Sequence, residues 1–255
     1  MRKIALLLSP AIVPVLLVVL WWNLAAHATS IYFPAPERIW GSFQDLWLFE
    51  RWSSDVLPSL RRMGIGLLVA AVLGIGLGTL IGLVPIAYRA VNPYLEFLRA
   101  IPPAALIPAA ILAVGIGDQM KIVIVVFGAV WPILLNTVEG VRGVHSTLRA
   151  TMQTFGVGRA RYVLRVVIPA AGPSISAGIR SALSLGIILI VVSEMVASTN
   201  GLGYFILISQ RSFAIPDMWS GIILLGLLGV VLNCCYVLLE RLVLRWYWQS
   251  QRMER

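Results

Sequence analysis

This chain contains six windows, each of about twenty mostly apolar residues. The windows lie at 5–26, 63–84, 94–115, 120–138, 172–196 and 219–240. A helix needs about 20 apolar residues to cross the hydrocarbon core of a bilayer. Inside a bilayer a segment must satisfy its own backbone polar groups, so each window predicts a helix. We therefore expect an all-α, polytopic membrane protein with six transmembrane helices.

The composition supports this expectation. Hydrophobic residues make up 59% of the 255 residues and charged residues only 12%, whereas soluble domains carry roughly 25% charged residues. The net charge of +9 would also suit nucleic-acid binding, but the arginines are dispersed among the apolar windows and decorate no separate soluble domain. We expect cytoplasmic arginines and contacts with membrane lipids to account for the charge, with no nucleic-acid partner.

The distribution of Lys and Arg predicts the orientation. An even number of spans places both termini on one side of the membrane. With cytoplasmic termini, fourteen of the 20 Lys and Arg residues face the cytoplasm and six face outward. Because Lys and Arg resist translocation, we expect both termini to be cytoplasmic. The stretch 141–180, which holds six arginines and no Asp or Glu, is then the main cytoplasmic loop.

The first 58 residues predict two segments. Residues 1–27 are expected to form an N-terminal transmembrane helix, because their apolar run is longer than the core of about 7–15 residues in a signal peptide. A cleavage-like run at 24–28 leaves a signal peptide as the alternative. Residues 28–58 are polar and aromatic, and Trp40, Trp47 and Trp52 are expected to anchor a short amphipathic helix in a periplasmic or extracellular interfacial segment.

The second window carries glycines at a spacing of four. Gly74, Gly78 and Gly82 form two overlapping GxxxG patterns. Small residues at this spacing let two helices approach closely. We favour packing within the chain, with a seam between two copies as the alternative.

The basic loop predicts a short helix with an apolar face. Leu148, Met152 and Phe155 recur at helical spacing after Ser146, a residue suited to an N-cap. Gly156 is expected to end the helix, because glycine accepts a positive φ. This spacing fits equally well a helix that docks in a groove of another protein and one that packs on its own bundle.

A second helical piece is predicted at 159–167. It is expected to stop before Pro169, which would return the chain to the membrane because proline disfavours a continuing helix.

Several segments together resemble a known family. Gly156, nine intervening residues and then Val166-Val167-Ile168-Pro169 resemble the EAA loop of permeases of binding-protein-dependent ABC importers. Further segments resemble the nitrate, sulfonate and taurine permeases: Phe33-Pro34-Ala35-Pro36, Ser59-Leu60-Arg61, Arg99-Ala100-Ile101-Pro102-Pro103, Ser193-Glu194 and Asn200-Gly201-Leu202-Gly203-Tyr204. The resemblance implies the type I ABC importer permease fold. Its core would span 59–245 with five transmembrane helices and a coupling loop at 140–171, followed by a basic cytoplasmic tail at 246–255.

The resemblance also implies which loop residues couple to an ATPase: Leu148, Ala150, Met152, Phe155, Gly156, Arg159 and Pro169. One position departs from the family pattern. The family's E-A-A reads Ala150-Thr151-Met152 here, and an alanine cannot make the ion pair expected of the glutamate. The glycine, the proline and the apolar face remain, so docking is expected without that ion pair.

The function that the resemblance implies is transport. The chain would be a permease subunit for a small anionic solute, such as a sulfonate, nitrate, taurine or a similar organic acid, in the bacterial plasma (inner) membrane. The expected partners are ABC ATPase subunits, a periplasmic or lipid-anchored solute-binding protein and a second permease subunit, identical or homologous.

No catalytic role is expected of the chain itself. It contains no GxxxxGK[ST] phosphate-binding loop, so ATP and Mg would bind to the partner ATPase, and we expect no catalytic residue, cofactor or metal site. His27 and His145 have no ligand-spaced partners. The alternative function is a secondary transporter or a membrane assembly factor without an ATPase.

Five residues are candidates for a pathway or gate: Asn136, Ser184, Ser193, Glu194 and Gly201. An ionisable group inside a membrane helix is a functional candidate by default. Because a carboxylate is a poor ligand for an anion, we favour a structural or gating role for Glu194, paired with Arg211 or Arg62. The polar groups of the other helical candidates would face the pathway or bond to their own backbone.

Overall fold

The computed structural model describes residues 12, 16, 18–23 and 32–247. Between 32 and 247 the chain is helical and contains no strand. Ten α-helices are bounded there: α1 (Pro36–Asp45), α2 (Leu57–Leu83), α3 (Pro85–Arg99), α4 (Ile107–Val114), α5 (Asp118–Arg142), α6 (Ser146–Thr154), α7 (Arg159–Tyr162), α8 (Ile168–Val196), α9 (Leu202–Arg211) and α10 (Ile215–Val243).

The expected all-α membrane architecture is confirmed. Among the described residues, four continuous helices are long and apolar enough to span a bilayer: Trp52–Leu83, Asp118–Arg142, Arg159–Val196 and Ile215–Val243. A fifth span results if α3 and the helical residues Pro103–Val114 are counted together. The first predicted window, 5–26, and the predicted tail, 246–255, lie largely outside the described residues.

The third window is not the single helix that we expected over 94–115. α3 ends at Arg99, and the helical residues Pro103–Val114 leave at an angle of 80°. Two consecutive prolines explain the break, because Pro102 and Pro103 lack a backbone N–H and disfavour helical backbone in the residue before them. Pro102 accordingly has extended backbone, with φ −63° and ψ 120°.

The predicted helix end before Pro169 is wrong. Helical structure continues from Arg159 to Val196 without interruption. A π-helical turn, Val163–Val167, immediately precedes α8, and Pro169 occupies the first turn of that helix. The wider π turn changes the hydrogen-bond register just where the proline ring would meet a carbonyl of the preceding turn. The proline therefore adjusts the helix rather than ending it.

Helices α2, α5 and α8 form the centre of the bundle, and glycines set their spacing. An ideal Cβ on Gly74, Gly78 or Gly82 would lie 2.7–2.9 Å from a side-chain atom of α5. The α5 partners, Ile133, Thr137 and Val141, repeat at the same interval of four. The expectation that these glycines pack within the chain is confirmed.

We expect Gly78→Ala to destabilise the protein, because its Cβ would lie 2.7 Å from Thr137 Cβ and 2.8 Å from the Leu134 carbonyl oxygen. Overpacking of this kind costs about 1–3 kcal/mol. Gly64→Ala is the matched control, since no atom lies within 4 Å of the added methyl. Thermal unfolding in detergent measures both, and equal unfolding temperatures would contradict the packing assignment.

The interfacial segment contains the predicted amphipathic helix, α1. Trp40 is exposed and stacks on Phe43, with ring centroids 5.7 Å apart. Trp47 does not serve as an interface anchor, contrary to expectation. Its side chain is buried, its Nε1 donates to Ser220 Oγ at 3.0 Å, and its ring meets the Phe205 ring edge-on. A buried indole with a satisfied N–H packs this segment onto α9 and α10.

The last helix, α10, packs on α9 through Gly221 and Leu224 in its N-terminal half, and it contacts α8 through polar side chains near its C-terminal end. Glu240 accepts a hydrogen bond from Ser176 Oγ at 2.7 Å and pairs with Arg180, both on α8. Tyr236 donates to the Ser176 carbonyl oxygen at 2.9 Å. Only 6% of the most apolar part of α10 is buried within the chain, so most of this helix is suited to contact with lipid.

Candidate functional site

The candidate site has two parts, one at each end of the bundle. The cluster end is where α2 and α5 begin and α8 ends, and the basic end is where α2 and α5 end and α8 begins. The Glu194 cluster, formed by Asp55, Ser59, Arg62, Asp118 and Glu194, lies at the cluster end. The coupling segment, residues 146–169, lies at the basic end.

Glu194, in the last turn of α8, is completely buried. Its carboxylate accepts hydrogen bonds from Arg62 Nη1 and Ser59 Oγ, each at 2.8 Å, and from the Gly203 backbone N–H at 3.1 Å. A buried charge is tolerated only when it is paired and hydrogen-bonded. These three donors come from α2 and α9, so the carboxylate joins three helices.

Arg62 is the cation of the cluster, and its side chain is only 4% exposed. Besides Glu194, its guanidinium binds Asp118 Oδ1 through Nε at 2.7 Å and Asn200 Oδ1 through Nη2 at 2.7 Å. A planar guanidinium suits this role because its donors point in several fixed directions. Arg62 thereby fixes the start of α5 and the loop before α9 relative to α2.

The cluster also caps helix α9. Three successive backbone N–H groups at its start have no partner within the helix. Asp55 Oδ1 accepts from Gly201 N at 2.9 Å, and Ser59 Oγ accepts from Leu202 N at 3.0 Å. Glu194 accepts from the third, the Gly203 N–H. Two carboxylates at a helix N-terminus also complement the helix dipole.

Gly201 permits this close approach. Its φ is +110°, a conformation that residues with a Cβ rarely adopt. An ideal Cβ there would lie 2.4 Å from Glu194 Cδ. Any other residue at this position would be strained and would displace the buried carboxylate.

Lys121 is a second buried cation close to the Glu194 cluster. Its side chain is buried on α5, and its Nζ donates to the Gly117 carbonyl oxygen at 3.3 Å. Lys121 and Arg62 balance the charges of Glu194 and Asp118. Among the described residues, no group of three or more His, Cys, Asp or Glu side chains is placed to hold a metal ion. The ion pairs and hydrogen bonds of the cluster form an ionic joint between α2, α5, α8 and α9.

The predicted pathway residues do not converge on one place. The structure brings Glu194 and Gly201 together, and Glu194 pairs with Arg62, not with the exposed Arg211. Ser193 Oγ donates to the Ile190 carbonyl oxygen at 2.9 Å. Its hydroxyl therefore bonds to the backbone of its own helix, one of the two alternatives expected for it. Ser184 lies on an exposed face of α8.

Asn136 lies apart from these residues, in the second half of α5. It also bonds to its own helix, with Nδ2 donating to the Pro132 carbonyl oxygen at 2.8 Å. The residue borders an open pocket of about 770 Å³ between α3 and α5.

The coupling segment begins with α6. Gly156 follows that helix with φ +66°, and the Val157 N–H donates to the Met152 carbonyl oxygen at 3.0 Å, a glycine-dependent helix end. Phe155, immediately before the glycine, is 78% exposed. The predicted helix and its glycine terminus are thus present.

The predicted apolar face is divided in the structure. Met152 is half-buried and lines a cavity of about 600 Å³ between the segment and the bundle. Leu148 is also half-buried, whereas Phe155 and Ala150 are exposed. Of the remaining predicted coupling residues, Arg159 is exposed at the start of α7 and Pro169 is half-buried in α8.

Sequence reasoning missed most members of the Glu194 cluster. Asp55, Ser59 and Asp118 looked like parts of polar connections, because the hydropathy windows began after them. One signal was available: the segments Ser59-Leu60-Arg61, Ser193-Glu194 and Asn200–Tyr204 were among those that carried the family resemblance. The structure brings these segments together.

Comparison with known proteins places this architecture in a family. The family described as "Binding-protein-dependent transport system inner membrane component" matches residues 70–249. The chain is 31% identical over 245 residues to the nitrate import permease protein NrtB of Synechocystis, covering 92% of this chain and 89% of that protein. It is 34% identical over 192 residues to the bicarbonate transport system permease protein CmpB of Synechococcus elongatus, covering 75% and 69%.

Two further comparisons agree. The putative aliphatic sulfonates transport permease protein SsuC of Bacillus subtilis is 29% identical over 237 residues, covering 92% of this chain and 86% of that protein. Among solved structures, a chain of the inward-facing MetNI methionine ABC transporter matches with a TM-score of 0.63 at 22% identity, covering 74% of this chain and 94% of that chain. That structural likeness concerns the fold. The chain belongs to the family of binding-protein-dependent transport system inner membrane components, the permeases of ABC importers.

Proposed function

We propose that this chain is the permease subunit of an ATP-driven importer of a small anion. Relatives named for nitrate, bicarbonate and aliphatic sulfonates support the solute class, because all three are small oxyanions. The chain would sit in the bacterial inner membrane with its basic end and both termini in the cytoplasm. An external binding protein would deliver the solute, and two permease subunits would form the pathway.

The observation that carries the ATPase partnership is the exposure of Phe155 on the coupling segment. The Phe155 side chain is 78% exposed, next to Gly156 in its left-handed conformation. Exposure of a large aromatic ring to water is unfavourable, and such a ring is suited to a pocket in a partner protein. The chain has no phosphate-binding loop of its own. We therefore assign ATP hydrolysis to a partner subunit that seats Phe155.

The Glu194 cluster supports a structural role within the same function. Movement of the coupling segment can reach the other end of the bundle only if the helices move together. Arg62 and Glu194 tie α2, α5, α8 and α9 together at the cluster end. In this proposal the cluster transmits motion between the bundle ends rather than contacting the anion.

We expect Phe155→Ala to weaken ATPase association by about 2 kcal/mol or more, the range of an interface hot spot. Phe213→Ala is the matched control, because Phe213 is 67% exposed but follows α9, near the cluster end. Titration of the ATPase onto the reconstituted permease measures both affinities. Equal affinities for the two variants would show that the ATPase does not dock on Phe155.

A further inference from the structure

An apolar groove runs along the part of α2 nearest the basic end. One wall is formed by Ile75, Thr79 and Leu83 of α2, and the other by Val163, Leu164 and Ile168. The volume is about 570 Å³. Leu80 and Leu164 on its rim are 64% and 66% exposed, and Gly76 leaves open space where a side chain would stand. The groove therefore opens sideways, away from the bundle.

The groove ends at a basic cavity. Arg159 lines both the groove and the cavity of about 600 Å³ beneath the coupling segment, and Arg142 lines that cavity too. The Arg142 guanidinium lies 3.7 Å from the ring centroid of Tyr88. Among the described residues, no Asp or Glu lines either space, and neither arginine forms an ion pair. Two arginines without an ion pair in the described part of the chain thus stand at one end of an apolar trough.

We propose that this groove binds one anionic phospholipid. One acyl chain lies along α2 past Gly76, and the phosphate contacts Arg159 and Arg142. The groove lies on a helix long enough to span the bilayer, where acyl chains are the solvent. Basic pockets between membrane helices are suited to anionic headgroups. An apolar trough that ends at two cations matches the polarity profile of such a lipid.

A lipid bound in this groove would contact the turn that precedes α8. Val163 and Leu164 belong to the π turn that leads from α7 into α8 within the coupling segment. A bound lipid supports this turn from the side that faces the membrane. Under the proposed importer function, the lipid would therefore stabilise the segment that meets the ATPase. The site itself is independent of that function.

The test is the retention of phosphatidylglycerol and phosphatidylcholine by the full-length chain, measured by native mass spectrometry. Arg159→Gln is expected to weaken phosphatidylglycerol binding about fivefold, the effect of one basic residue at a membrane surface. Arg161→Gln, on the same short helix but not lining the groove, is the control and is expected to have no effect. Gly76→Leu should reduce binding by filling the trough, whereas Gly64→Leu should not, because Gly64 lies outside it.

Three results would overturn the proposal. They are equal effects of the two arginine variants, equal retention of phosphatidylcholine and phosphatidylglycerol by the unmodified chain, and full retention by Gly76→Leu. A change of oligomeric state in Gly76→Leu with lipid retention intact would assign the groove to a second copy instead. The measurement needs neither ATPase nor solute, so its failure is distinguishable from failure of the importer function.

Discussion

Arg62→Met is expected to lower the free energy of unfolding by about 3–5 kcal/mol, because it leaves a buried carboxylate without its cation. Glu194 is fully buried, and Arg62 is its ion-pair partner at 2.8 Å. Arg61→Met is the matched control. Arg61 is 69% exposed and reaches Asp118 at 3.3 Å, and an exposed ion pair is worth about 0–1 kcal/mol. Unfolding of both variants in mixed micelles measures the difference.

A second substitution separates charge from packing. In the Arg62→Met background, Glu194→Gln removes the uncompensated charge while keeping the shape of the side chain. Part of the lost stability should return, because a neutral amide costs less to bury than an isolated carboxylate. If Arg61→Met and Arg62→Met unfold alike, or if the double variant recovers nothing, the cluster is not an ionic joint.

Gly201→Ala is expected to have an effect of similar size for a different reason. The backbone strain at φ +110° costs about 1–3 kcal/mol, and each buried donor left unsatisfied costs about 1–3 kcal/mol more. The added methyl would displace Glu194 Cδ, which lies 2.4 Å from the ideal Cβ position. The donors at risk are those of Ser59 and Gly203.

Gly115→Ala provides the comparison for strain alone. Gly115 has φ +80° and an extended ψ like that of Gly201, but no atom lies within 4 Å of its ideal Cβ position. Gly115→Ala should therefore show only the strain, and Gly201→Ala should be clearly less stable. Equal loss in thermal unfolding would mean that contact with Glu194 contributes nothing at Gly201.

Much of the fold was predictable, because an apolar run long enough to cross the bilayer is visible in the sequence itself. Windows near 63–84, 120–138, 172–196 and 219–240 each fall on a helix long enough to span. The glycine spacing in α2 also predicted helix packing, since a missing Cβ is a local property of the sequence. The bend after Arg99 was missed although Pro102 and Pro103 signal it, because a hydropathy average does not register backbone donors.

The candidate site was predictable only in parts. A left-handed turn at Gly156 was predicted from its residue type, and its φ of +66° confirms that prediction. Glu194 was recognisable as a charge inside an apolar window, but its partners Ser59 and Arg62 lie more than 130 positions earlier. Residues that look like polar connections in sequence become buried only when several helix ends converge. Pairing at such distances depends on the tertiary arrangement, which local patterns do not encode.

Reconstituted transport tests the proposal that this chain forms part of an ATP-driven anion importer. Proteoliposomes would contain the permease and an ABC ATPase that co-purifies with it, with a solute-binding protein outside and ATP inside. We predict accumulation of a labelled small anion, drawn from nitrate, bicarbonate and an aliphatic sulfonate. That accumulation should require ATP, the ATPase and the binding protein together. Accumulation that persists without the ATPase and follows an imposed ion gradient would rule out an ATP-driven importer and identify a secondary transporter.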